Sequence, residues 1–248
     1  MKAAEHLLNY AATHPDAAIR YHASDMQLHI HSDASYLSEP EARSRAGGFY
    51  FLDGKDRPDD KNYKPKLNGP IYVLSKIICN VMASAAEAEM GGLFMNGQEG
   101  TVLRTTLEEM RWKQHGPTPM QTDNSTASGI ANDTVKAKRS KAMDMRFHWI
   151  KDRVRQGQFR VHWAPGEENL ADYPTKHHPP SHHIKMRPTY LHVASTLVPL
   201  DTSDGEGVLI QGIPRDSAPA QQSVTECWRE RAEPETPSSS QISLSVTR

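Results

Sequence analysis

The chain has 248 residues, with 30 acidic side chains against 29 Lys and Arg, a net charge of -1, and 37% hydrophobic residues. That balance excludes a chain that binds nucleic acid by overall charge, so any such contact must come from local basic clusters. No apolar run approaches the length of a membrane span, no signal peptide opens the chain, and Cys79 and Cys227 are too few and too dissimilar in context for a disulfide scaffold. An intracellular protein, cytoplasmic or nuclear and not secreted, is expected.

Residues 3–14 carry Ala4, Leu7, Leu8 and Ala11 at helical spacing, ended by His14-Pro15. Gln27 to Asp33 alternates, with Leu28 and Ile30 on one side and His29 and His31 on the other, the period of a strand with one buried face. Gly47 to Leu52 and Ile71 to Leu74 read as two further strands. Between them, residues 53–69 form a polar, exposed loop. The apolar run Ile77 to Met82 fits no single element.

Ser84 with Glu87 three positions on makes a capping box, so a helix starts there and runs through Phe94. A second helix spans Val102 to Gln114. Thr118 to Asp123 is a strand ending in a carboxylate, followed by a short helix from Ser125 to Ala131. Met143, Phe147, Ile150 and Val154 mark an amphipathic helix, and Phe159 to Trp163 a fifth strand. Asn169 to Asp172 begins another helical turn. Beyond about Tyr190 the sequence turns polar. His177, His178, His182 and His183 match no standard zinc spacing.

This order predicts an α/β chain with a five-stranded mixed sheet flanked by helices. The expected organisation is a connecting helix and linker over 1–26, the α/β domain over 27–180, and a polar, disordered tail over 181–248. On this map four acids sit at element ends: Asp33, Glu87, Asp123 and Asp172. If the first and fourth strands are neighbours, all four can meet at one edge of the sheet. Clustered carboxylates repel and need cations, and an all-oxygen set favours Mg²⁺ or Mn²⁺ over zinc. Two such ions roughly 3.5–4 Å apart would activate a water and stabilise the leaving oxygen of a phosphodiester.

The motifs that carry these acids are His31-Ser32-Asp33-Ala34-Ser35, Ala86-Glu87-Ala88-Glu89-Met90 and Thr122-Asp123-Asn124-Ser125. Residues 138–150 and Glu168-Asn169-Leu170-Ala171-Asp172-Tyr173-Pro174-Thr175-Lys176 follow them. In this order the set resembles the ribonuclease H domain of copia-type retrotransposon polyproteins, over roughly residues 1–190. The resemblance implies a ribonuclease H-like fold that cuts the RNA strand of RNA–DNA hybrids during reverse transcription, leaving 5′-phosphate and 3′-hydroxyl ends. It implies two Mg²⁺, with Mn²⁺ as a substitute. Asp33 would bridge both ions, Glu87 and Asp123 would hold the one near the leaving group, and Asp172 the one near the water. Glu89 competes with Glu87: two residues apart on a helix, they face different ways.

Lys136, Lys138, Arg139 and Lys141 are the expected phosphate contacts of the hybrid. The reverse transcriptase part of the same polyprotein is an expected partner. Two departures stand out. The loop Ala164 to Asn169 lacks the histidine that many ribonucleases H carry there, and no polymerase core is present, as in a fragment or degraded copy of an element. An integrase-type relative would place its last acid as a glutamate on a late helix, which does not match Asp172. A catalytically inactive remnant, acting as a structural or nucleic-acid-binding domain, is the alternative function.

Overall fold

The computed structural model of the protein describes residues 2–57, 59–60, 64–135 and 145–193. Its main sheet is built from β2 (Gln27–Glu39), β3 (Arg43–Asp53), β4 (Pro70–Ile78), β5 (Thr118–Thr122) and β6 (Phe159–Trp163), in the order β4-β3-β2-β5-β6. β2, β3 and β4 form an antiparallel meander, while β5 and β6 run parallel to β2 and each other. The expected five-stranded mixed sheet is present, with each strand where the sequence places it, though β2, β3 and β4 each run several residues longer.

One face of the sheet is covered by α2 (Ala85–Glu109), α3 (Ser125–Ala131) and α4 (Met145–Arg155). Leu28, Ile30, Tyr50, Leu74, Met120, Phe159 and Val161 from the strands meet Met90, Leu93, Phe147 and Ile150 there in one apolar cluster. Each such aliphatic side chain contributes about 1.5–3 kcal/mol by leaving water. The two helices expected over 84–114 are one continuous helix. The glycines between them are contact points: a Cβ on Gly97 would stand 3.0 Å from Ile150 and Trp149, and one on Gly100 would stand 2.6 Å from Ile30.

The other face was expected to be wet, since it carries His29 and His31. Both are buried, at 3% and 8% exposure. His29 is hydrogen-bonded to the Gly54 carbonyl and stacks on Phe51, and His31 Nδ1 accepts from the Leu170 N–H. The turn of residues 169–176 meets His31 through Leu170, and Tyr190 packs edge-on against Phe49 and donates to the Leu170 carbonyl.

The polar tail expected from residue 181 begins instead with an ordered helix, α5 (Pro180–Tyr190). It is followed by the short strand β7 (His192–Val193), which pairs antiparallel with β1 (Ala17–Ala18), the strand that follows α1 (Lys2–Thr13) in the chain. Arg187 of α5 reaches His14 and stacks over Tyr10. Residues 194–248 lie outside the described residues, as do Lys136, Lys138, Arg139 and Lys141. Among the described residues no helix is long and apolar enough to cross a membrane.

Candidate metal centre

The site begins with strand register. β2 and β5 pair with Ile30 opposite Met120 and His31 opposite Gln121. Continuing that offset sets Asp33 beside Asp123, one inside a central strand and one just past a strand end. Asp33 is 3% exposed and Asp123 half-buried. The Trp163 indole N–H, at the end of the next strand, donates to the Asp123 carbonyl at 2.9 Å. The loop after it passes close enough that a Cβ on Gly166 would stand 2.9 Å from Asp123 Oδ2.

The third acid comes from α2, and it is Glu89. Carboxylate oxygens of Asp33, Glu89 and Asp123 all lie within 4.8 Å of one another. Glu89 is 5% exposed; its Oε1 accepts from the Ala34 N–H at 3.2 Å and its Oε2 from the Thr122 hydroxyl at 3.4 Å. Glu87, the acid expected here, is turned the other way. Its Oε2 accepts from the Ala83 N–H at 2.7 Å, while Ser84 Oγ accepts from the Glu87 N–H at 3.2 Å. The capping box that starts the helix therefore holds Glu87 at the helix end. Two residues on, about 200° around the axis, Glu89 faces the sheet.

One signal for this was in the sequence. Glu89, Gly92, Asn96 and Gly100 follow one another at i, i+3, i+7 and i+11, a face of small and polar residues. The structure lays that face on the sheet: a Cβ on Gly92 would stand 3.1 Å from the Asp33 carbonyl oxygen. Asn96 is fully buried, donating to Ser32 Oγ and the Gly47 carbonyl and accepting from the Tyr50 hydroxyl.

Asp172, the fourth expected acid, lies on the turn over the opposite face of the sheet. That turn is held to β2 residue by residue. The Asn169 amide donates to the Ser32 carbonyl, the Ser35 hydroxyl to the Thr175 carbonyl, and the Thr175 hydroxyl to Asp33 Oδ2 at 2.5 Å. Thr175, 1% exposed, was not singled out from sequence, where it reads as an ordinary turn residue. Asp172 is near enough to act on Asp33 electrostatically, but it stands outside the close group of three and is paired with Lys176.

Burial dominates the electrostatics. It raises the Asp33 carboxyl to about 6, with Asp172 and Asp123 pushing the same way and the Thr175 hydroxyl and Lys176 opposing. Burial, reinforced by Asp33 and Asp123, raises Glu89 to about 9, so this carboxyl is protonated at neutral pH when no cation is bound. Among the described residues no Lys, Arg or His forms an ion pair with Asp33, Glu89 or Asp123.

No protein-family model matches the chain. It is similar to the retrovirus-related Pol polyprotein from transposon RE2 of Arabidopsis thaliana, 25% identical over 175 residues, which cover 70% of this chain. It is likewise similar to the Pol polyprotein from transposon TNT 1-94 of Nicotiana tabacum, 25% identical over 71% of this chain. The chain spans only 11–12% of the length of these polyproteins. Among solved structures it resembles the N-terminal RNase H domain of Rv2228c from Mycobacterium tuberculosis, at 13% identity and a TM-score of 0.40, over 66% of this chain and 97% of that one. A second is LC11-RNase H1, isolated from compost, at 13% identity and a TM-score of 0.41, over 60% and 92%. Over about 70% of its length the chain is thus similar to transposon Pol polyproteins, and its main sheet is a five-stranded mixed sheet in the order β4-β3-β2-β5-β6.

Proposed function

We propose that this relative of transposon Pol polyproteins is a divalent-cation-dependent ribonuclease H that hydrolyses the RNA strand of RNA–DNA hybrids. One observation carries the proposal. Carboxylates from a central strand, the end of its parallel neighbour and the helix packed across both converge within 4.8 Å, with no cation paired to them among the described residues. The specific substrate rests on the resemblance of the motifs around Asp33, Glu89, Asp123 and Asp172.

The donor set fits a hard divalent cation. It is all carboxylate oxygen, which suits Mg²⁺ or Mn²⁺ and not zinc. Its own repulsion and burial hold Asp33 and Glu89 above the usual carboxylate range, a cost that a bound cation removes. Asp33, Glu89 and Asp123 would hold that cation, and Asp172 would contribute to a second. A bound cation supplies Lewis-acid charge for activating water and for the leaving oxygen of a phosphodiester.

The chain's own groups do the rest. Glu89 would hold the cation as a carboxylate, its proton passing to solvent. Thr175 keeps one Asp33 oxygen oriented, and Trp163 fixes the backbone from which Asp123 projects. Lys136, Lys138, Arg139 and Lys141, in the segment between α3 and α4, are proposed to hold the phosphates of the hybrid. The reverse transcriptase part of a polyprotein is the proposed partner.

The test is cleavage of an end-labelled RNA–DNA hybrid by the intact chain in Mg²⁺. Cleavage of the RNA strand that is abolished by EDTA and by Asp123→Asn supports the proposal. No cleavage by the intact chain, with Asp123→Asn behaving identically, overturns it in favour of an inactive ribonuclease H-like remnant.

A further inference from the structure

The four acids at this sheet edge are not equally supplied with charge. Among the described residues, Asp33, Glu89 and Asp123 receive only neutral donors: the Thr175 and Thr122 hydroxyls and the Ala34 and Trp163 N–H groups, the last on the Asp123 backbone. Of the four, Asp172 is the one with an ion-pair partner among the described residues. Lys176, four residues on, places Nζ against Asp172 Oδ1. The pair is short in sequence and the turn between is fixed, because the Thr175 N–H donates to the Asp172 carbonyl and the Thr175 hydroxyl to Asp33. The ammonium is within electrostatic reach of Asp172, Asp33 and Asp123 alike. Its side chain is half exposed, so it is free to swing into solvent.

Resting on the metal-site reading above, we propose that Lys176 is the resident counter-ion of Asp172. It makes the two cation positions unequal by occupying the second until a divalent ion displaces it. The close group of three acids, which no described Lys, Arg or His pairs with, takes the first ion. The second needs Asp172, and to reach it the Asp172–Lys176 pair must break. The chain would then pass through a one-ion state over a wide range of ion concentration. Tightening of the second ion would be coupled to release of one ammonium group toward the approaching phosphate backbone.

The test counts Mn²⁺ bound to the intact, metal-free chain by electron paramagnetic resonance, a readout independent of cleavage. In the wild type one ion binds tightly and a second only at much higher concentration. Lys176→Met removes the competing charge and tightens the second ion by about tenfold, leaving the first within about threefold. Lys176→Arg retains the pair and behaves as wild type. Unfolding midpoints of all three confirm that each is folded. If Lys176→Met binds its second ion no more tightly than wild type, the proposed role of Lys176 is overturned while the metal site stands. If neither the wild type nor Lys176→Met binds Mn²⁺, the metal-site reading falls and this proposal with it. Two ions of equal affinity in the wild type overturn the proposed inequality directly.

Discussion

At the scale of single residues, Thr175 is the hinge between the two halves of the site. Its hydroxyl has two acceptors in reach, Asp33 Oδ2 at 2.5 Å and the Asp172 carbonyl at 2.8 Å, and one proton to give. The bond to Asp33 favours the ionised carboxylate and partly offsets the burial that raises this group to about 6. Thr175→Val keeps the shape and removes the donor, so the Asp33 carboxyl should titrate above 6. The expected result is weaker Mn²⁺ binding at pH 6.5–7 and near-normal binding at pH 8.5, where Asp33 is ionised in either protein. A pH series of Mn²⁺ affinities checks it. Equal losses at both pH values would mean that the hydroxyl acts by geometry alone.

At the scale of elements, the site depends on how closely the turn of residues 169–176 approaches β2 and β3. Gly47 stands opposite Asp33 in the antiparallel register, and a Cβ there would lie 2.4 Å from Thr175 Cγ2 and 2.6 Å from the Ala171 carbonyl oxygen. The turn can cover the sheet end only because this position has no side chain. Gly47→Ala should push the turn away, costing about 1–3 kcal/mol of stability and breaking the Thr175–Asp33 bond. Urea denaturation measures the first, and loss of Mn²⁺ affinity beyond that expected from stability measures the second. An alanine variant with unchanged stability and binding would show that the turn is looser than described.

The same scale explains what was legible beforehand. Strand periodicity located all five strands of the main sheet, because alternation of Leu28 and Ile30 with His29 and His31 is a local property. It could not show that the histidine face is buried, since the covering turn is about 140 residues away, as the 139-residue separation of Leu170 and His31 shows. Asp33 and Asp123 do come together, Asp123 just past a strand end and Asp33 inside β2, which runs six residues beyond the end expected from its alternation. The helix acid expected with them, Glu87, does not join them. Ser84 and Glu87 form so clear a cap that the cap explains Glu87 fully, and the face shared by Glu89, Gly92, Asn96 and Gly100 was not followed. Gly97 and Gly100 lie between the two expected helices, and packing against Ile150, Trp149, Ile30 and Phe159 holds one continuous helix through them. The four basic residues expected to meet phosphates lie outside the described residues.

At the scale of the whole molecule, neutral buried histidines and protonated buried acids pull stability in opposite directions with pH. Burial lowers His31 to about 3 and His162 to about 4, and lowers His29 as well, from a value of 6.5 in the unfolded chain. Their contribution is present above pH 6.5 and is lost as pH falls toward the folded values, because the unfolded chain takes up protons first. For Glu89, raised from 4.5 to about 9, the sign is reversed: its contribution is present below 4.5 and lost as pH rises toward 9. His162 has a buried Nδ1 without a hydrogen-bond partner. His162→Leu should therefore cost less than about 1 kcal/mol at pH 7.5 and raise the unfolding midpoint relative to wild type at pH 5. Thermal unfolding in EDTA at the two pH values decides this, and a variant that loses as much at pH 5 as at pH 7.5 would contradict it.

The most direct test of the proposed centre sets Glu87→Gln beside Glu89→Gln and measures the initial rate of hybrid cleavage in Mg²⁺. Glu87→Gln weakens a helix cap, costs at most about 1 kcal/mol of stability, and should leave the rate within about threefold of wild type. Glu89→Gln removes one of the three converging carboxylates and should lower the rate by about 10²-fold or more. A rate lost with Glu87→Gln and kept with Glu89→Gln would contradict the account.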